Sequence, residues 1–382
     1  SVGMGVGQTT GLGVTSGGAG GVDMLFTDIL GNNQLMSTLS LNGEVYDFSG
    51  MATWINLKHR LNWGVGLSHI AYPTGRLGFA GLDTLDFGGG LRVLAEHWQF
   101  DVIRTFEDKL SLFAQYPFSR YLRVEGSVTG AAYYNRVDRF DNYYDAFGRL
   151  IYQDRNKLDP ATAGYNLFKG RLATVSTALV GDNAAFGITS PLSGHRFRIG
   201  VERYFGDFHF NNLVVDLRQY FWLRPVALAG RLMHYGRSGP DQYLFYPYYI
   251  GYPWYVRGYS YNKANELLPL NGRSADELLG TKFVVGNFEV RLPFTGPRRL
   301  CLIPSKVFFT ELSLFADGGV AFFNYDDFSR DPKDPLHPDP VFSTGMSLRV
   351  NLFGALVLEP YYAYPLLQET RGVWGINIVP GW

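Results

Sequence analysis

The chain has 382 residues, with 34 basic and 34 acidic side chains, so no net field draws it to nucleic acid. Glycine is frequent at 46 residues, aromatic residues reach 16% and charged residues only 18%, a balance suited to many strands and interfacial aromatic belts rather than a helical enzyme. Helical membrane spans are excluded, since no run of about 18 apolar residues occurs, while a mean hydropathy near zero is what alternating lipid-facing and water-facing residues average to.

The opening segment Val2-Gly3-Met4-Gly5-Val6-Gly7, continued by Leu12-Gly13-Val14, sets larger apolar groups on even positions and glycine on most odd ones, which is a strand period. Strand signals follow at 21 to 30 and 34 to 46, joined by the turn Leu30-Gly31-Asn32-Asn33, where glycine and asparagine supply positive φ. Further strands are predicted at 51 to 59, 62 to 73, 98 to 117, 120 to 138, 171 to 186, 194 to 206, 208 to 222, 225 to 237, 280 to 294, 306 to 322, 341 to 353, 355 to 364 and 372 to 382. That makes sixteen. Connections are short at Arg60-Leu61 and Gly354 and long at 74 to 97, 139 to 170, 238 to 279 and 323 to 340, with all the long ones at one end, as with periplasmic turns and outer loops.

Parity sharpens this reading. Phe308, Leu312, Leu314, Val320 and Phe322 fall on one face of their strand, with Glu311, Ser313, Phe315 and Asp317 on the other. The same split sets Phe288, Val290 and Leu292 against Asn287, Glu289 and Arg291, and places Asp216, Arg218, Arg231, Arg349 and Glu359 on the polar side. A soluble multi-sheet protein would alternate in the same way. The even strand number, unequal connections and terminal Trp382 favour an all-β, sixteen-stranded antiparallel transmembrane barrel, formed by residues 1–382 as one domain in a bacterial outer membrane.

Val256-Arg257-Gly258-Tyr259 lies before the twelfth strand, and Gly286 to Phe294 and Phe315-Ala316-Asp317-Gly318-Gly319 follow it. In these segments the chain resembles the BamA-type superfamily of outer-membrane insertases and two-partner-secretion transporters. The resemblance implies a barrel whose sixth extracellular loop folds into the lumen with an Arg-Gly-aromatic tip, here Arg257, Gly258 and Tyr259. It also implies that Glu289 and Asp317 on the next two strands hold the arginine. The function expected is insertion, assembly or translocation of proteins at the outer membrane, with a structural anchor and a diffusion porin as alternatives. Relatives carry periplasmic POTRA domains ahead of the barrel, whereas strand signals here start near Ser1, and no signal peptide stands there. The expectation is a mature or trimmed chain whose receiving domain was removed or belongs to a partner, or else a barrel with another job.

An enclosed arginine offers five donors in a rigid fork, so two carboxylates can fix the loop tip. Expected partners are outer-membrane lipid, lipopolysaccharide, and a periplasmic domain, lipoprotein or client protein. Gly3, Gly5 and Gly7 in the first strand, with Gly375, Pro380 and Trp382 in the last, suggest a weakly paired seam, because glycine packs nothing and proline lacks a ladder amide. Room for the inserted loop, or a bend in the wall, would explain the same glycines.

No catalytic, cofactor or metal site is expected. His59, His69, His97, His195, His209, His234 and His337 lack metal spacing, Ser68 and His69 point to opposite faces, and Cys301 has no partner for a disulfide. The acidic stretch Asp326 to Pro340 reads as a solvated loop. The aromatic run from Tyr243 to Tyr255 serves either to pack the inward loop or to grip sugar or protein.

Overall fold

A computed structural model describes residues 2–10, 14–161, 163–331, 334, 337–352, 354 and 356–378; Pro380 and Trp382 lie outside them. The chain divides into two compact units: residues 1–115, 127–175 and 205–207 form the first, and 116–126, 176–204 and 208–382 the second.

The chain starts with β1 (Val2–Thr10), β2 (Val14–Thr27), β3 (Asn33–Gly43), β4 (Phe48–Asn56), β5 (Asn62–Asp86), β6 (Arg92–Pro117), β7 (Leu122–Tyr144) and β8 (Leu150–Leu158). Strands β1 to β6 pair antiparallel in sequence order, and β8 folds back on the far end of β7. The β2–β3 turn forms because Gly31 adopts φ 70° and the Asp28 carboxylate accepts from the Asn32 amide at 2.6 Å and from the Asn33 side chain at 2.9 Å. Two expectations change here. Residues expected as a long connection at 74 to 97 mostly continue the β5–β6 ladder as far as Asp86 and Arg92, and the expected loop at 139 to 170 contains β8. Both segments are rich in polar residues and glycine, which conceals strand periodicity once both faces meet water.

The remaining elements are β9 (Gly170–Asp182), β10 (Ala185–Phe186), β11 (Pro191–Gly206), β12 (Phe210–Leu223), β13 (Val226–Ser238), β14 (Tyr248–Tyr249), α1 (Tyr261–Leu267), β15 (Leu279–Gly280), β16 (Lys282–Gly296), β17 (Ile303–Pro304), β18 (Phe309–Phe322), β19 (Val341–Leu352), β20 (Leu356–Pro365) and β21 (Val373–Asn377). In the second unit β11, β12, β13, β16, β18, β19, β20 and β21 form one antiparallel succession. The two-residue β17 runs parallel to the end of β16, where the ladder shifts register after Pro293.

Burial in this unit is inverted relative to a water-soluble protein. Glu289, Arg291, Glu311, Asp317, Arg349 and Glu359 are buried, while Phe288, Leu314, Phe342, Met346, Trp374 and Ile376 on the opposite face are exposed. Charged side chains are rarely buried unless paired, and a wide exposed apolar face is unstable in water. An apolar solvent on that face removes the conflict. Among the described residues no helix is long and apolar enough to cross a membrane.

Candidate functional site

The connection between β13 and β16 is not an extended flap. Strands β14 and β15 tie its two ends together, pairing Tyr248 with Gly280 and Tyr249 with Leu279, and the Ile250 amide donates to the Leu278 carbonyl at 3.0 Å. The Val256 amide donates back to Tyr252 O at 3.1 Å, closing a turn that delivers Arg257. An apolar cluster holds this turn against the sheet: Ile250, Val256, Tyr259 and Leu278 from the connection pack with Phe283, Val285 and Val341. The backbone of Gly319 is approached so closely that a Cβ there would stand 2.9 Å from Val256 Cγ2.

Arg257 is 2% exposed and meets three carboxylates. Its Nε donates to Asp317 Oδ2 at 2.7 Å and its Nη2 to Asp317 Oδ1 at 2.9 Å, while Nη1 lies 2.9 Å from Glu289 Oε1 and 3.3 Å from Glu359 Oε1. The guanidinium carbon sits 3.5 Å from the centroid of the Phe315 ring, a stacking that weakly hydrated arginine favours. Gly258 has φ +95°, and a Cβ there would stand 3.2 Å from Ala363 Cβ, so the tip needs glycine for its conformation and for space. Tyr259 is buried, donates its hydroxyl to Phe342 O at 2.8 Å and accepts at its own carbonyl from Tyr249 at 2.6 Å. Burial pushes its phenol up to about 12, so it stays a neutral donor.

The structure thus brings together Val256, Arg257, Gly258, Tyr259, Glu289 and Asp317, and adds residues beyond that set. Arg349 donates to Glu289 Oε2 at 2.8 Å and to Glu311 at 3.0 Å and lies 3.1 Å from Glu359, while Arg291 Nε donates to Glu289 Oε2 at 2.7 Å. Ser190 donates to Glu311, Ser347 to Glu359 and Asn287 to Asp317, each at 2.8 Å. Three guanidiniums face four carboxylates, and these neutral donors share the extra negative charge. Parity alone assigns Arg349 and Glu359 to the polar side. Their convergence needs the β18–β19 register, which sets Glu311 opposite Arg349, and the β19–β20 register, whose Ser347–Tyr361 and Val350–Leu358 pairs bracket Arg349 and Glu359. Ser190, far away in sequence, gives no signal.

The seam residues are positioned differently. Gly3, Gly5 and Gly7 pair with Gly21, Ala19 and Gly17 of β2. Gly375 stands opposite Tyr361, whose ring occupies the space where a side chain would be. In the aromatic run, Tyr248 and Tyr255 pack on Phe283 with ring centroids 5.5 and 4.8 Å apart, whereas Tyr246 is 94% exposed.

The family model described as the Omp85 superfamily domain matches residues 83–372, most of the chain. The chain belongs to the Omp85 superfamily. Membership makes it an outer-membrane β-barrel protein of the kind found in Gram-negative bacteria. No curated protein matches its sequence. Solved structures similar to this Omp85 chain include BamA from Haemophilus ducreyi lacking POTRA domains 1–3, at 12% identity and TM-score 0.49, with 99% of this chain and 74% of that one covered. CdiB from Acinetobacter baumannii is 14% identical, TM-score 0.48, with 99% and 65% covered, and CdiB from Escherichia coli 13%, 0.46, with 99% and 59%. The chain therefore spans less than two thirds of either CdiB chain.

Proposed function

We propose that this Omp85 chain closes as a sixteen-stranded barrel with the β13–β16 connection inside its lumen, and that it inserts or translocates other proteins at the outer membrane. The observation carrying this reading is the clamp on Arg257: Asp317, Glu289 and Glu359 from three strands converge on one loop tip. Superfamily membership supports the same reading. A loop held by three ion pairs and an apolar cluster plugs a barrel, which suits clients handled at the wall better than solutes diffusing through an open pore. No covalent chemistry is involved. Partners are a periplasmic domain, a lipoprotein or a client protein, with membrane lipid and lipopolysaccharide around the wall.

The seam between the first and last strands, marked by Gly3, Gly5, Gly7, Gly375, Pro380 and Trp382, is the proposed place of opening, because short side chains and a missing amide weaken pairing. Cysteine pairs across residues 4 to 8 and 374 to 378, oxidised in a reconstituted assembly or secretion assay, test it. Locking should abolish delivery of an unfolded barrel client or secreted client. Unchanged delivery defeats lateral opening and favours a barrel that only anchors its partners.

A further inference from the structure

The first unit contains a groove of about 740 Å3 on the apolar face of β4, β5, β6 and β7. Strand register sets Ala52, Leu67 and Leu110 in one row, and Leu39, Gly50, His69 and Asp108 in the next row on the same face. Side-chain bonds from Thr105 to Asn135 at 2.8 Å and between Ser111 and Thr129 at 3.0 Å extend the register, placing Gly130 beside Leu110 and Ala132 beside Asp108. The groove thus has leucine walls and a floor of glycine and alanine, on a face that the outer-membrane location turns toward lipid.

Its polar groups are few and complementary in sign. His69 Nδ1 lies 2.6 Å from Asp108 Oδ1, and the imidazole is stacked between Phe48 and Phe106 at centroid distances of 6.4 and 5.6 Å. Because a carboxylate only accepts, Nδ1 carries the proton in this bond, beside the half-exposed Asp108. Across Ala132, the exposed Arg171 borders the same groove, and its guanidinium makes no bond among the described residues. Lys109, the next residue in β6, pairs with Glu107 at 3.2 Å. A carboxylate, an unengaged arginine and an apolar trough between them match an amphiphile with ammonium, phosphate and acyl chain.

We propose that this groove binds a zwitterionic phospholipid of the phosphatidylethanolamine type. The acyl chain lies along Leu39, Leu67 and Leu110, the phosphate meets Arg171, whose fork suits phosphate oxygens, and the ammonium meets the Asp108 carboxylate. A headgroup without ammonium brings its phosphate toward Asp108 with nothing to offset the repulsion. The inference rests on the outer-membrane location and not on the transport reading, so lipid binding and client delivery fail independently.

Native mass spectrometry of the full chain in detergent, mixed in turn with dioleoyl phosphatidylethanolamine, dioleoyl phosphatidylglycerol and lipid A, tests the site. One phosphatidylethanolamine should remain bound at collision energies that strip phosphatidylglycerol. Gly130→Phe should lower that adduct about tenfold; nothing lies within 4 Å of where its Cβ would stand, so the strand accommodates the ring. Arg171→Gln, at an exposed position, should weaken retention, and Asp108→Asn should narrow the difference between the two phospholipids. Retention unchanged in Gly130→Phe and Arg171→Gln, or phosphatidylglycerol or lipid A held in preference, would overturn the proposal.

Discussion

Arg257 and Asp317 are joined at three points: Nε to Oδ2 at 2.7 Å, Nη2 to Oδ1 at 2.9 Å, and the Arg257 amide to Oδ2 at 3.2 Å. One carboxylate therefore fixes both the direction of the side chain and the backbone that presents it. Removing the guanidinium leaves Asp317, Glu289 and Glu359 close together with less cationic compensation. Arg257→Ala is expected to destabilise the docked loop by about 3–5 kcal/mol, and Arg257→Lys, which keeps the charge but loses the fork, by less. Hydrogen exchange of residues 239–281 in detergent measures this, and protection equal to wild type in Arg257→Ala would refute the clamp.

Gly258 is tested by a single methyl group. With φ at +95° and Ala363 Cβ at 3.2 Å from the added atom, Gly258→Ala should cost about 1–3 kcal/mol in loop docking from backbone strain alone. Double substitution with Ala363→Gly should recover only a share of the packing part, because Pro365 Cγ stands equally close at 3.2 Å and the unfavourable φ remains. Full recovery would show that space, not conformation, sets the requirement.

Tyr259 predicts an alkaline dependence. Burial raises its phenol from the ordinary value of 10.0 up to about 12. The folded pKa lies above the unfolded one, so this contribution is fully present below about pH 10 and is lost as pH rises toward 12. Loop protection in wild type minus that in Tyr259→Phe should be flat up to pH 10 and fall above it. A difference that instead changes between pH 5 and 8 would assign the dependence to another group.

The two faces of β16 and β18 should meet different solvents. Spin labels at Val290 and Leu314 should be reached by lipid-soluble quenchers, and labels at Asn287 and Ser313 should not. Leu314→Arg at 61% exposure should destabilise the protein by about 2–4 kcal/mol if the position lies at mid-membrane depth. The reverse quenching pattern would exchange the two faces.

Phe288, Val290 and Leu292 alternating with Asn287, Glu289 and Arg291 was legible in the sequence, because side chains in a strand point to opposite sides with period two and each side meets its own solvent. The loop motif at Arg257-Gly258-Tyr259 is a weak local string, singled out only by its family resemblance and by its order ahead of Glu289 and Asp317. The extent of β5 and β6 beyond the apolar band was hidden, because strand faces wetted on both sides lose the alternation that marks them. That Glu359 joins Glu289 and Asp317 around Arg257 was decided only by the tertiary structure. A shift of one residue between β18 and β19 would turn Arg349 away from Glu311, and no local feature records the choice. Ser190 reaches Glu311 across 121 positions of chain, and Glu359 reaches Arg257 across 102. Such contacts arise when distant strands are brought side by side, where burial in a low-dielectric site makes pairing of every charge a condition of stability.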